Sequence, residues 1–274
     1  MRVIARAFFV AVGFASAAPA FAADLPTKKP EPAPIPEPVL PSTWHVDMTA
    51  YLWATSLAGN TGVGPFPTNP FFLSFGDILK HFEGAFMGAI IARNDTFIGG
   101  LDLICTRVGT NETFEEPSSP LLGVGANLKL TASIVTAFGG VRIPVGPPNL
   151  SLYGIVGARN VTEKISITLQ APVSGFTHSA SKTEDWVDPV AGIYAHYRID
   201  DKWFVNAEGD GGGVTNSATA QGLGAVGYNW TQSIATTLGY RVLYTYDKAN
   251  NAANGSYRLL QWMHGPFAAV KYTF

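Results

Sequence analysis

Residues 237–247 read TLGYRVLYTYD. Apolar and tyrosine side chains, ending in Tyr244 and Tyr246, fall on one parity, and Arg241 falls on the other. Successive side chains of a β-strand point to opposite faces, so this is a strand with one apolar face and one charged face. The closing MHGPFAAVKYTF (263–274) keeps the period, with Val270, Tyr272 and Phe274 on one face. From Thr43 onward this period of two recurs, and no long amphipathic helix interrupts it. The pattern predicts ten strands, near 43–56, 84–94, 96–107, 127–143, 149–165, 185–199, 202–213, 217–230, 233–246 and 257–274. One helical turn is predicted at Gly76–Phe82 (GDILKHF).

The connections alternate in length. Those at 57–83, 108–126, 166–184 and 247–256 are long. Those around Asn94-Asp95, Pro144–Pro148, Asp200-Asp201 and Thr231-Gln232 are short, and Val214–Asn216 is short where a long one is due. Short turns at one end and long loops at the other fit a single all-β transmembrane up-and-down antiparallel barrel, which needs an even strand count. Ten satisfies it, and eight or twelve would as well.

Composition agrees. The 274 residues are 47% hydrophobic, 12% aromatic and only 14% charged, with 29 glycines, one cysteine and a formal charge of −2. That balance excludes a basic nucleic-acid binder and an acidic disordered tail. A lone cysteine excludes an intramolecular disulfide framework and a cysteine-based zinc site. The longest apolar run, GAFMGAIIA (84–92), is far short of the ~18 residues a spanning helix needs. Residues 1–22 are expected to be a signal peptide: Arg2 and Arg6, then AFFVAVGF, then Ala20-Phe21-Ala22 as the cleavage site. Residues 23–42, with TKKPEPAPIPEPVLP at 27–41, are expected to be a Pro-rich periplasmic linker. It reads as an extended spacer, with an arm touching peptidoglycan as the alternative. The barrel is then 43–274.

Aromatic placement decides which face meets lipid. Tyr197, Phe204, Tyr228, Trp230, Tyr272 and Phe274 fall near the short turns, and Tyr244, Tyr246 and Tyr257 near the long loops. Two such bands are what interfacial anchoring requires. The other face carries charge in mid-strand. Its expected lumen set is Asp47, Arg93, Asp102, Arg159, Asp188, His196, Arg198, Glu208, Asp210 and Arg241. Both signs are present, as a narrow lumen requires, because an unpaired buried charge is expensive.

The chain also resembles the small outer-membrane β-barrel proteins of Gram-negative bacteria, with an OmpA-type barrel. AADLP, AYLWATSLAG (50–59), FGDILKHFEGAFMGAIIARND (75–95), WVDPVAG (186–192), GDGGG (209–213), TLGYRVLYTYD and the final VKYTF carry the resemblance. It implies an outer-membrane location, contact with lipid and lipopolysaccharide, and recognition of Phe274 by the barrel assembly machinery. It offers no catalytic residues. Ile91 and Ile104 depart from it, standing where a polar or aromatic inward residue is expected.

Three roles follow in order. The first is an envelope-integrity or surface-presentation barrel whose lumen is filled by paired charges. The second is a narrow porin-like channel for ions or small solutes. The third is a rim hydrolase using His178, Ser179, Glu184, Asp185 and Asp188, ranked last because no matching motif accompanies them. No cofactor and no metal site are expected. Pro266 within the last strand predicts a bulge that turns His264 inward. The glycines of AEGDGGG (207–213) and GLGAVGY (222–228) predict tight curvature.

Overall fold

The computed structural model describes residues 44–63, 69–114, 124–171, 176–251 and 255–274. The expected signal peptide and linker lie outside the described residues. The strands are β1 (His45–Trp53), β2 (Ser56–Val63), β3 (Asn69–Leu73), β4 (Phe82–Arg93), β5 (Phe97–Phe114) and β6 (Val124–Ile143). They continue with β7 (Leu150–Ala171), β8 (Phe176–Arg198), β9 (Trp203–Val214), β10 (Ser217–Asn229), β11 (Ile234–Asn251) and β12 (Gly255–Thr273). A short helix, α1 (Phe75–Lys80), precedes β4. All twelve strands form one sheet, and the β1–β12 pairing closes it. The closed wall is β1 and β4 to β12, an antiparallel ten-stranded barrel, with β2 and β3 added on the loop side. No described helix is long and apolar enough to cross a membrane.

β2 continues β1 along the same partner. Trp53 pairs with Phe267 and Ser56 with His264, so the register is unchanged across Ala54-Thr55. The interruption lies beside Pro266, whose carbonyl accepts from the Ala54 N–H at 2.9 Å. In an antiparallel ladder a residue's N–H and C=O point the same way, so the donor that Pro266 lacks would also have faced this break. The β11–β12 ladder therefore loses nothing and runs in one register from Ile234↔Tyr272 to Asn251↔Gly255. The bulge expected at Pro266 is absent, and His264 stays outward, with its Nδ1 2.8 Å from the Tyr240 hydroxyl. α1 begins on a capping box in which Ser74 and Asp77 satisfy each other's backbone donors.

Strands rise beyond their expected ends on the loop side. β7 and β8 stay paired to Ala171↔Phe176, and β5 and β6 to Phe114↔Val124. The lower wall separates two faces cleanly. On β10 the even positions carry Ala218, Ala220, Gly222, Gly224, Val226 and Tyr228, while Ser217, Thr219, Gln221 and Ala225 are buried. The outward rows expose apolar side chains elsewhere too, among them Leu52, Phe86, Val156, Leu238 and Val270. A solvated exterior would leave this surface unpaid, whereas lipid solvates it and closure satisfies the backbone.

Candidate functional site

The chemistry of this barrel lies inside it. Its inward side chains follow from register alone. Asp102 pairs with Thr136, Thr136 with Arg159, and Arg159 with Asp188, giving a row of polar residues across β5 to β8. Arg159 has no exposed surface. Its guanidinium donates to Thr136 Oγ1 at 3.0 Å, to Thr219 Oγ1 at 2.8 Å and to Asp210 Oδ2 at 2.9 Å. Asp188 accepts instead from the Ser217 hydroxyl. Arg241 anchors a second cluster, donating to Tyr51 Oη at 2.9 Å, to Asp102 Oδ2 at 2.6 Å and to the Gln221 side-chain oxygen. Tyr51 donates to Asp102 at 2.6 Å, and Gln221 to Glu208 at 2.8 Å. The Trp53 ring lies 5.2 Å from the Arg241 guanidinium, adding a cation–π contact.

A third cluster sits at the turn end. Asp47 meets Arg93 at 3.5 Å and Lys271 at 3.6 Å, and accepts from Thr273 Oγ1 at 2.6 Å. His196 bonds Asn206 at 2.7 Å and tilts against the Phe204 ring. Between this base and Arg241 lies a cavity of about 110 Å³, reached by Thr49, Tyr51, Glu208, Arg241 and Lys271.

One inward step further out on each strand, the polar clusters give way to apolar side chains. Ile104 follows Asp102, Val161 follows Arg159, and Leu243 follows Arg241. Direct pairings join Met87, Ile104, Ile134, Val161 and Trp186 across β4 to β8, and Leu243, Met263 and Leu57 across β11, β12 and β2. These residues, with Trp53, pack into one cluster in which Val161 and Leu243 have no exposed surface. On β10 polar side chains stand beside it: Gln221 is the cross-strand partner of Leu243, and Thr219 accepts from Arg159 at 2.8 Å. Ile91 and Ile104 both face inward, Ile104 within this cluster and Ile91 packed on a lower one with Tyr153 and Tyr194.

Nine of the ten expected lumen residues are drawn into or beside these clusters; Arg198 ends its strand exposed at the turn end. Asp188, although paired in register with Arg159, has no ion pair to it among the described residues. The aromatic bands differ from expectation at Phe204. It faces the lumen, 1% exposed, on the same parity as Glu208 and Asp210, and its ring covers the cross-strand partner Gly227. A Cβ on Gly227 would lie 2.1 Å from the ring. Phe138 on Gly100 and Phe267 on Gly239 repeat the device. Tyr197, Tyr228, Trp230, Tyr272 and Phe274 lie at the turn end of the outer surface, and Trp203 joins them. Tyr244 and Tyr246 occupy the outward row at the loop end, where Tyr244 packs on Trp262 at 4.8 Å. The side chain of Tyr257 lies outside the described residues.

The acidic residues of the expected rim constellation divide between the two faces. Asp185 sits on the outward row, accepting from Asn160 and Thr162, whereas Glu184 and Asp188 are on the inward row. The His178 side chain lies outside the described residues. No group of three His, Cys, Asp or Glu among the described residues is placed to hold a metal. Sequence reasoning also missed the neutral partners Tyr51, Thr136, Ser217, Thr219 and Gln221, which share the parity of the charges they bind.

These features define the class: a closed barrel with an apolar exterior, aromatic bands and a packed polar interior has the fold of a Gram-negative outer-membrane β-barrel. No protein-family model matches the sequence, and no curated protein matches it. Among solved structures, it is similar to the outer membrane protease OmpT from Escherichia coli, at 13% identity and a TM-score of 0.55, covering 86% of this chain and 99% of that one. Matches at lower TM-score include the attachment invasion locus protein Ail of Yersinia pestis (15% identity, 84% and 98% coverage, 0.33). Neisserial surface protein A is another (12%, 84% and 97%, 0.29). At 13% identity the likeness to the protease is one of fold, and a fold does not define a role.

Proposed function

We propose that this protein is a sealed structural barrel of the outer membrane, serving envelope integrity or presenting its outer loops, and that it neither conducts solutes nor catalyses a reaction. The observation that carries this reading is the apolar layer of Met87, Ile104, Ile134, Val161, Leu243 and Met263 across the lumen. An ion crossing it would meet apolar side chains on six strands and, on β10, Thr219, whose hydroxyl already donates to the Tyr244 carbonyl and accepts from Arg159. Beneath it, Arg159 and Arg241 are committed to fixed carboxylate, hydroxyl and amide partners, which favours a strut over a moving gate. The porin-like alternative draws on the cavity below Arg241, but Met87, Ile104, Ile134, Val161, Leu243 and Met263 are not among the residues that line that space. The hydrolase alternative loses support because Asp185 faces away from Glu184 and Asp188. In this reading the partners are outer-membrane lipid and lipopolysaccharide, the assembly machinery through Phe274, and peptidoglycan through the linker. Liposome swelling tests it: vesicles carrying the folded protein should swell in small sugars no faster than empty ones. Swelling above that baseline would favour the channel.

A further inference from the structure

Beyond the apolar layer, toward the loops, the next inward side chains are acidic. Glu163 lies beyond Val161 on β7, Glu184 beyond Trp186 on β8, and Thr245 and then Asp247 beyond Leu243 on β11. Glu163 and Glu184 are direct cross-strand partners, and like charges so placed repel. Gln261 of β12 hydrogen-bonds the Glu163 carboxylate across the lumen, and it is the direct partner of Thr245. Asp188, one inward step below Trp186, reaches the same space, because Ser217, which donates to it, is the direct partner of Asp247. These carboxylates therefore share one end of the lumen. Against them, Lys182 is the inward cation at that end among the described residues, with its Nζ 2.9 Å from Glu184. Glu163, Asp188 and Asp247 have no ion pair among the described residues. Arg159, the register partner of Asp188, directs its donors to Thr136, Thr219 and Asp210 instead.

Two buried atoms in this place also lack a hydrogen-bond partner among the described residues: Asp188 Oδ2 and Thr245 Oγ1, both on residues with no exposed surface. Buried charges and polar atoms are expensive unless bonded, so the cluster calls for donors that carry positive charge. Spacing decides their arrangement. No three of these acidic groups converge closely enough to hold a metal ion. Asp188 and Glu184 stand four residues apart on β8, about 13 Å along the strand. Acceptors strung over that length suit ammonium groups joined by methylenes, and the methylenes match the apolar layer beside them. Exposure rises toward the loops, from 0% at Asp188 and 5% at Glu163 to 20% for the Glu184 side chain, so a ligand enters from the loop side.

We propose that Glu163, Glu184, Asp188, Thr245 and Asp247 form a binding site for a linear aliphatic polyamine in the loop-side end of the lumen. Its ammonium groups pair with the carboxylates, as the Lys182 ammonium does with Glu184, and one N–H donates to the Thr245 hydroxyl oxygen. The proposal goes beyond the structural role and stands on the inward rows above the layer, whether or not that layer seals the lumen.

The test is calorimetric titration of the folded protein in phosphatidylcholine nanodiscs at neutral pH, with spermidine as the probe and protein-free nanodiscs as the baseline. Wild-type protein should bind one spermidine per barrel, and should bind propylamine, which carries a single charge, at least about tenfold more weakly. That comparison needs no variant. Glu163→Gln/Asp247→Asn should weaken spermidine binding by about tenfold, whereas Asp185→Asn, on the outward row, should bind like wild type. All should keep the heat-shifted gel migration of a folded barrel. No heat above the baseline for wild type would show that the carboxylates are satisfied by protons, and would overturn the proposal. Propylamine bound as tightly as spermidine, or a Glu163→Gln/Asp247→Asn protein that binds like wild type, would overturn it as well. Displacement of spermidine by an equal concentration of calcium would assign the cluster to an inorganic ion and overturn the amine. Conductance reports on the layer and not on this site, so the sealed-lumen reading stands or falls separately.

Discussion

Replacing Arg159 by Met removes the cation of a fully buried pair while keeping much of its volume. Asp210, 1% exposed at its side chain, is then a buried carboxylate without its counter-ion. Removing one partner of such a pair typically destabilises by about 3–5 kcal/mol, chiefly through the charge left behind. Thr136 loses its charged donor partner, while Thr219 keeps its bond to the Tyr244 carbonyl. Two further hydrogen bonds of about 1 kcal/mol each, to Thr136 and Thr219, go with the guanidinium, partly offset by the apolar methionine stem. Arg159→Met should therefore lose about 4 kcal/mol. Adding Asp210→Asn removes the stranded charge and should restore at least about 2 kcal/mol. Urea unfolding in phospholipid vesicles, followed by tryptophan fluorescence and by gel migration, measures both. A single variant within about 1 kcal/mol of wild type, or a double variant destabilised by the full sum of the two singles, would refute the reasoning.

Gly227→Ala should destabilise the barrel, because its Cβ would enter the Phe204 ring, and Phe204→Ala should relieve part of that loss in the double variant despite its own cavity cost of about 3–5 kcal/mol. Chemical denaturation of the three proteins checks it. Cys105, on the outward row of β5, should resist a membrane-impermeant maleimide in folded vesicles and react in urea; equal labelling would remove that row from the lipid. Asp200 accepts from the backbone N–H groups of Trp203 and Lys202, which hold its carboxyl below the usual range. Its folded pKa is depressed, so its stabilisation is present above the unfolded value and lost as pH falls through the folded one. Asp200→Asn should accordingly flatten part of the acid limb of the stability profile.

The wall of the barrel was legible because lipid imposes a strict period of two, as in the Leu238–Tyr246 stretch with Arg241 opposed to it. That signal fades where water bathes both faces. Ser166 on β7, and Ser181 to Glu184 on β8, are polar without alternation, so the paired extensions beyond Ile165 and before Asp185 read as the loop 166–184. Phe204 was misplaced because nearness to a turn outweighed parity: it shares parity with Glu208 and Asp210, which sit inside. Pro266 signalled a disturbance, but not on which neighbour it falls, since that depends on which way its missing donor points. The charged members of the lumen were visible one by one. Their pairing, Arg159 with Asp210 and Arg241 with Asp102, was not, because it joins strands that are not neighbours in sequence.

The sealed lumen is tested most directly by single-channel recording of the folded protein in a planar bilayer, with insertion verified by gel shift. The apolar layer from Met87 to Val161, packed with Leu243 and Met263, predicts a silent membrane at all moderate voltages. Discrete, reproducible conductance steps that change their ion selectivity on Arg241→Gln would contradict it.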